Sequence, residues 1–416
     1  MPLKSFEVTN YRAFVEPARV ELKELTLLFG YNNAGKSALA RLLPLLRDSS
    51  FARRGLPLNL ESAAVRGGEF ADLRSRQTGI RKIELVLEWD DPDLRKIRFV
   101  LQDLPDRRQH VIESFEIEST TGLLLEGEWV VPSDGVMGPT VYSVRRAGGS
   151  ETRVSIDWHG LIPQVDSGLP LGDASVMTLW GTVIRSLQDV LWVGAVRSMQ
   201  PRIAKFPRLR PDTIAEDGLG AADVLAWDKK YGGDIFASVS GWYAKNTGTP
   251  LDAALRADEY ALVTGPSQVS LSDTGEGLTQ VLPVLVAGAM AAQRAQERSS
   301  YLVLEQPELH LHPAAHAPLA EFFCGIAAAP KAPRIVIETH SENFLFGVQL
   351  AIARNQLDPA RVLIHWVRQD EQSCATVTPI RMDADGRPDA WPKGVFTEEA
   401  ELARQLLEAR RQRSAP

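Results

Sequence analysis

Cysteine is scarce: only Cys324 and Cys374 occur in 416 residues. They stand far apart and outside any metal-ligand spacing, which argues against a disulfide framework or a cysteine-held zinc site. Long apolar runs are also missing. The longest, Val281 to Ala292, is too short to span a bilayer and reads as a buried helix. The first residues, Met1-Pro2-Leu3-Lys4-Ser5-Phe6-Glu7, lack the apolar core of a signal peptide. A cytoplasmic chain with no membrane partner is expected. The net charge of −7 gives no whole-chain signal for nucleic acid. A local basic face depends on charge distribution rather than the sum, so DNA or RNA is neither required nor excluded as a partner. No internal repeat or low-complexity segment is present. Sustained heptads are absent from the middle, which argues against a long coiled-coil arm.

The most informative stretch that is present is Gly30-Tyr31-Asn32-Asn33-Ala34-Gly35-Lys36-Ser37. It reads G-x-x-x-x-G-K-S, a phosphate-binding loop. An apolar run, Leu25 to Phe29, precedes it and suits a buried strand. Ala38 to Leu43 follows and suits a helix, expected to end near Leu46. The glycines allow a tight turn whose N–H groups surround an anion, and the helix start adds a favourable dipole. Gly30, Asn32, Asn33 and Gly35 form the cradle. Lys36 is placed to reach the β- and γ-phosphates of ATP, and Ser37 to ligate Mg²⁺.

Three later stretches extend the site. Leu302-Val303-Leu304-Glu305-Gln306-Pro307-Glu308 is an apolar strand ending in a carboxylate, the Walker B pattern that holds Mg²⁺. Arg334 to Ser341 is another apolar strand, ending in Thr339-His340, where a histidine can sense the γ-phosphate. Leu271 to Gln280 has small residues at a helix start, a second anion site that suits the ATP of another subunit.

Taken in order, these motifs resemble the SMC/RecF/OLD branch of ABC-type ATPases. The chain is most similar to the compact stand-alone members found beside prokaryotic anti-phage genes. The resemblance also takes in Phe6 to Phe14, Val193 to Arg197, Asp273 to Pro283, Glu305 to Pro313 and Trp391 to Phe396. It implies an α/β P-loop NTPase fold: an ABC-type ATPase head with a mixed sheet and a helical signature lobe. It assigns Lys36 and Ser37 to phosphate and metal, and Glu305 to the Walker B acid. Ser272, Gly275 and Gly277 take the signature that closes over a partner's nucleotide. His312 falls in the D-loop, His340 is the switch histidine, and Gln77 is the candidate lid glutamine. It implies a homodimer or higher homo-oligomer, and a separate effector protein such as a nuclease. The expected division is an N-terminal head part with the P-loop over 1–110, and a strand-rich, then helical insert over 111–262. The signature, Walker B and switch part follows over 263–396, and a C-terminal helix over 397–416.

One departure concerns catalysis. Such sites usually carry a glutamate after the Walker B acid, and here that slot holds Gln306. An amide is no general base at neutral pH, although it can orient water. Glu308, two residues on, is the alternative. Slow hydrolysis is the expectation.

Other clusters carry weaker signals. His310, His312 and His316 have metal-like spacing, but the first two belong to the nucleotide motif and need no metal there. Arg197, Arg202, Lys205, Arg208 and Arg210 surround Phe206. They read as a solvated loop, with Arg197 structural or near the nucleotide as the alternative, before they read as a nucleic-acid contact. Arg53, Arg54, Arg66, Arg74, Arg76, Arg81 and Lys82 form a second basic patch of either kind. Tryptophans are scattered, with no evident stacking platform. Asp383 and Asp385 suit a surface turn, and no intrinsic nuclease is expected. Residues 174–260 read as mostly helical, with a break from Gly194 to Pro211.

Overall fold

The strand entering the glycine loop, Leu25–Gly30, is buried at every position, as a strand inside a parallel sheet must be. It lies within a six-stranded sheet. The order is Val190–Val193, Tyr301–Glu305, Arg334–Glu338, Leu25–Gly30, Val362–Gln369, Ala375–Ile380. The first five are parallel and the last is antiparallel. Because side chains alternate across a strand, one sheet packs two cores. Leu25, Leu27 and Phe29 join the core beneath helices Glu276–Arg294, His316–Ala327 and Glu342–Ala353. Leu28, Val303 and Val336 face the opposite way, toward helices Lys36–Ala40, Leu42–Ser49 and Asp173–Leu187. The computed structural model describes residues 2–50, 56–107, 109–131, 141–164, 173–392 and 404–405.

A second, antiparallel sheet has eight strands, ordered Ala18–Glu21, Leu3–Thr9, Lys82–Trp89, Lys96–Leu104, Gln109–Ser119, Gly122–Trp129, Val141–Arg146, Glu151–Ser155. Alternation gives it one dry face. Ile97, Phe99 and Leu101 are buried, and Phe99, Phe115 and Tyr142 pack edge-on around Trp158. On the wetter face Arg98 bridges Glu84 and Glu116 across three strands, at 2.6 and 2.8 Å. The boundary expected at 110 falls inside Gln109–Ser119, which pairs on both edges, so the sheet continues through it.

The lobe ahead of the signature contains helices Ala221–Tyr231 and Asp234–Thr247. The mostly helical reading of 174–260 is corrected in two places. Val190–Val193 is an edge strand of the central sheet, and Leu251–Arg256 pairs with Glu259–Thr264 as a hairpin. Ala253, Ala254 and Leu255 are good helix formers. The turn, Ala257-Asp258, carries none of the usual hairpin glycine or asparagine. Leu251 and Ala253 are nonetheless buried while Asp252 and Ala254 are less so, the alternation of a half-buried strand.

The scattered tryptophans are also partly regrouped. Trp227 stacks on Phe206 with centroids 5.8 Å apart, and Tyr231 lies 4.6 Å from Trp227. Arg53, Arg54 and most of the expected C-terminal helix lie outside the described residues, apart from the helical pair 404–405. Among the described residues no helix is long and apolar enough to cross a membrane.

Candidate functional site

The parallel strands end on one edge, and the glycine loop sits there. Gly35 caps the following helix at φ 103°, a conformation that strains any residue with a Cβ. The helix is interrupted at Arg41. Pro44 has no N–H to give the Ala40 carbonyl, so the regular hydrogen-bond ladder fails there. It resumes and runs to Ser49, beyond the expected end near Leu46.

Lys36 is buried, and its Nζ donates to the carbonyls of Gly30 (3.0 Å) and Tyr31 (2.7 Å). Burial pulls the ammonium down to about 8, with the nearby Glu338 charge opposing. A cavity of about 650 Å³ opens beside it. Asn32, Asn33, Gly35, Lys36 and Ser37 line one side, with Gln306, Glu338, His340 and Gln77 around them. Arg12, Arg41, Arg66, Arg74 and Arg76 also border it. Part of the second basic patch therefore faces the glycine loop, a charge balance suited to a polyphosphate.

The two strand-end carboxylates have different surroundings. Glu305 is 2% exposed. Its Oε1 accepts from Arg41 Nε (2.6 Å) and Trp192 Nε1 (3.0 Å), and its Oε2 accepts from Arg41 Nη2. Glu338, on the neighbouring strand, accepts the Ser37 hydroxyl at 2.9 Å. Its Oε2 is buried without a hydrogen-bond partner. Burial raises the Glu338 pKa, and the Glu305 charge adds to the rise. The sequence reading put Glu305 beside the glycine loop as the metal acid; the carboxylate in contact with Ser37 is Glu338.

Gln306 lines the cavity with φ 45°, and its N–H donates to the Glu338 carbonyl at 2.7 Å. Glu308 points elsewhere. Its buried Oε1 accepts from Thr339 Oγ1 (2.6 Å) and the His340 N–H (3.1 Å), which ties it to the switch segment. Burial, then the Lys36 charge, lowers His340 to about 4, so its imidazole is neutral at pH 7. The Gln77 amide donates to the Ser373 carbonyl and accepts from the Cys374 thiol.

The signature residues lie outside this cavity. Ser272 Oγ donates to the Gln200 carbonyl at 3.1 Å, and Gly275 caps the helix Glu276–Arg294. Gly277 sits so close to the turn after Glu305 that an added Cβ would meet the His310 carbonyl oxygen at 2.5 Å. Exposed His312 accepts the Ala314 N–H through Nδ1 at 3.2 Å. His316 bonds Ser341 and Leu311, so the three histidines do not converge. No group of three metal-binding side chains occurs among the described residues. Asp383 Oδ1 accepts from the N–H groups of Asp385 and Arg387, a self-capped turn.

Sequence reasoning missed Arg41, Trp192 and Glu338 as parts of the site. For Arg197 it had offered a solvated loop or a structural place near the nucleotide. Arg197 is in fact 6% exposed, and its Nη2 donates to the carbonyls of Glu305 (2.9 Å) and Gln306 (2.6 Å). Only Glu338 carried a readable signal: like Glu305, it is an acid closing an apolar strand. Arg202 of the same loop pairs with Asp273, and Arg210 donates to Gln293.

Residues 1–119 and 233–345, more than half of the chain, match the family described as AAA ATPase domain. The chain belongs to this AAA ATPase family. Its fold is the mixed α/β head of a P-loop ATPase, with the glycine loop and both acidic strand ends on one edge. Three solved structures to which the chain is similar are SMC heads. One, an SMC head bound to the C-winged helix domain of ScpA, is 11% identical with TM-score 0.49, covering 92% of this chain and 98% of that one. The SMC head domain from Thermotoga maritima is 12% identical with TM-score 0.42, covering 92% and 100%. An Smc head with an extended coiled coil, bound to the C-terminal domain of ScpA and derived from Pyrococcus furiosus, is 11% identical with TM-score 0.48, covering 99% of both chains. No curated protein matches the sequence significantly.

Proposed function

We propose that this AAA ATPase binds and hydrolyses ATP as a switch working through a homodimer or higher homo-oligomer. The observation that carries the reading is the cavity that brings Lys36, Ser37, Glu338 and His340 together at the mouth of the glycine loop. The loop N–H groups and Lys36 hold the phosphates, and Lys36 exchanges its two carbonyl partners for them. Neutral His340 offers a hydrogen bond to the terminal phosphate. Ser37 with the unpartnered Glu338 Oε2 suits a hard divalent cation, and bound Mg²⁺ would neutralise charge on the phosphates. Ser272, Gly275 and Gly277 stand apart from this cavity, which accords with their serving the nucleotide of a second copy.

ATP then controls assembly by favouring the paired geometry. Resemblance to compact members in anti-phage loci supports a role in defence or DNA maintenance, with a separate effector as the working partner. Sedimentation with and without ATP tests the switch. ATP-dependent dimers lost in Lys36→Ala and in Ser272→Arg are expected; a monomer under all conditions refutes it. A second reading, a slow or non-hydrolysing scaffold that holds an effector, is favoured by Gln306 and by the engagement of Glu308 with Thr339. Tight ATP binding without turnover would select it.

A further inference from the structure

We propose that Glu338, in place of Glu305, supplies the protein carboxylate of the metal site at the glycine loop. The proposal rests on the ATP-binding reading. Strand order carries it first. Arg334–Glu338 lies directly against the P-loop strand, with Glu338 opposite Leu28. Glu305 is opposite Glu338 on the far side, one strand further away. Adjacent strands are about 4.8 Å apart, so Glu305 starts that much more distant from the loop.

Bonding carries it second. A cation needs oxygen lone pairs that are not already committed, and magnesium is commonly taken by one or two carboxylates together with waters and phosphate oxygens. Both Glu305 oxygens are engaged, by Arg41 and Trp192. Arg41 is 12% exposed on its side chain, so releasing it would strand a guanidinium with little water. Glu338 is 4% exposed and lines the cavity. One of its oxygens is on the Ser37 hydroxyl and the other is without a hydrogen bond. Glu305 is thereby left a different task. It is the buried counter-ion that ties Arg41 of the P-loop helix to Trp192 of the edge strand.

The test uses the full chain, Mn²⁺ as the probe, and a non-hydrolysable ATP analogue. Free and bound Mn²⁺ are separated by electron paramagnetic resonance. Analogue binding in EDTA is measured alongside, because a wild type that binds no analogue refutes the ATP-binding reading itself and not this assignment. Given nucleotide binding, Glu338→Gln is expected to weaken Mn²⁺ by roughly tenfold or more while analogue affinity in EDTA changes little. Glu305→Gln is expected to keep Mn²⁺ affinity within about threefold. Glu305→Asp, which keeps a carboxylate for Arg41, is expected to do the same. Loss with Glu305→Gln and retention with Glu338→Gln overturns the assignment, as does equal loss or equal retention in both.

Discussion

Replacing Arg41 with alanine is expected to loosen the centre of the molecule more than its partly exposed position suggests. The side chain of Arg41 is 12% exposed and that of Glu305 only 2%. Without Arg41, the Glu305 carboxylate keeps one donor at hydrogen-bond distance, Trp192, and a more remote guanidinium, Arg66 at 3.9 Å. Stranding a buried charge by removing its partner costs about 3–5 kcal/mol. Glu305→Gln removes the other charge but keeps an amide oxygen that can accept from Arg41, so it costs less, about 1–3 kcal/mol. The double variant, Arg41→Ala with Glu305→Gln, then costs less than the sum, with a coupling of roughly 2–3 kcal/mol.

In a chain this large, hydrogen exchange is a better assay than one global unfolding curve, because it reports local opening. Amides of 301–306 and 36–46 are expected to exchange on the order of a hundredfold faster in Arg41→Ala, since each 1.4 kcal/mol is tenfold. Much of that protection returns in the double variant. An increase below about fivefold, or strictly additive effects, refutes the description of Glu305 as a buried, Arg41-compensated charge.

Three further outcomes are expected. Gly277→Ala drives a Cβ to 2.5 Å from the His310 carbonyl oxygen and 3.1 Å from its carbon. Backbone cannot swing aside, so a loss of about 1–3 kcal/mol in thermal or denaturant stability is expected, and a neutral variant refutes the close approach. His110 is 2% exposed, accepts the Leu58 N–H, and is pulled by burial from 6.5 to about 4. Its stabilising contribution is complete above pH 6.5 and is lost as pH falls toward 4. Denaturation at pH 5 should show roughly 2 kcal/mol less stability than at pH 7, with His340 and His365 adding in the same direction, and His110→Gln should flatten the slope. Gln306→Glu places a base at the cavity and should raise ATP turnover by roughly tenfold or more. Unchanged turnover there, with turnover abolished in Glu308→Gln, would give Glu308 the catalytic role.

The glycine loop was legible because its chemistry is local: eight consecutive residues with an apolar run before and a helix start after. The strands Leu25–Gly30, Tyr301–Glu305 and Arg334–Glu338 were legible for the same reason, by continuous apolarity. What escaped depends on strand order. Whether Glu305 or Glu338 faces Ser37 follows from which strand lies beside Leu25–Gly30, and residues 36 and 338 are joined only by that choice. Arg41 was read only as one position of the helix after the glycine loop. The interruption imposed by Pro44 and the strand ending at Glu305 give it a buried partner. The hairpin Leu251–Thr264 was hidden by its alanines, and the Phe206–Trp227–Tyr231 cluster by the distance between its members in sequence.

The most direct test of the account is steady-state ATP turnover of the purified chain, with and without DNA, against Lys36→Ala. Turnover that is clear in the wild type and lost in the variant is the predicted result, and stimulation by DNA would name the substrate the switch responds to. A wild type whose turnover equals that of Lys36→Ala would contradict hydrolysis at this site. If it still bound ATP tightly, the scaffold reading would stand in its place.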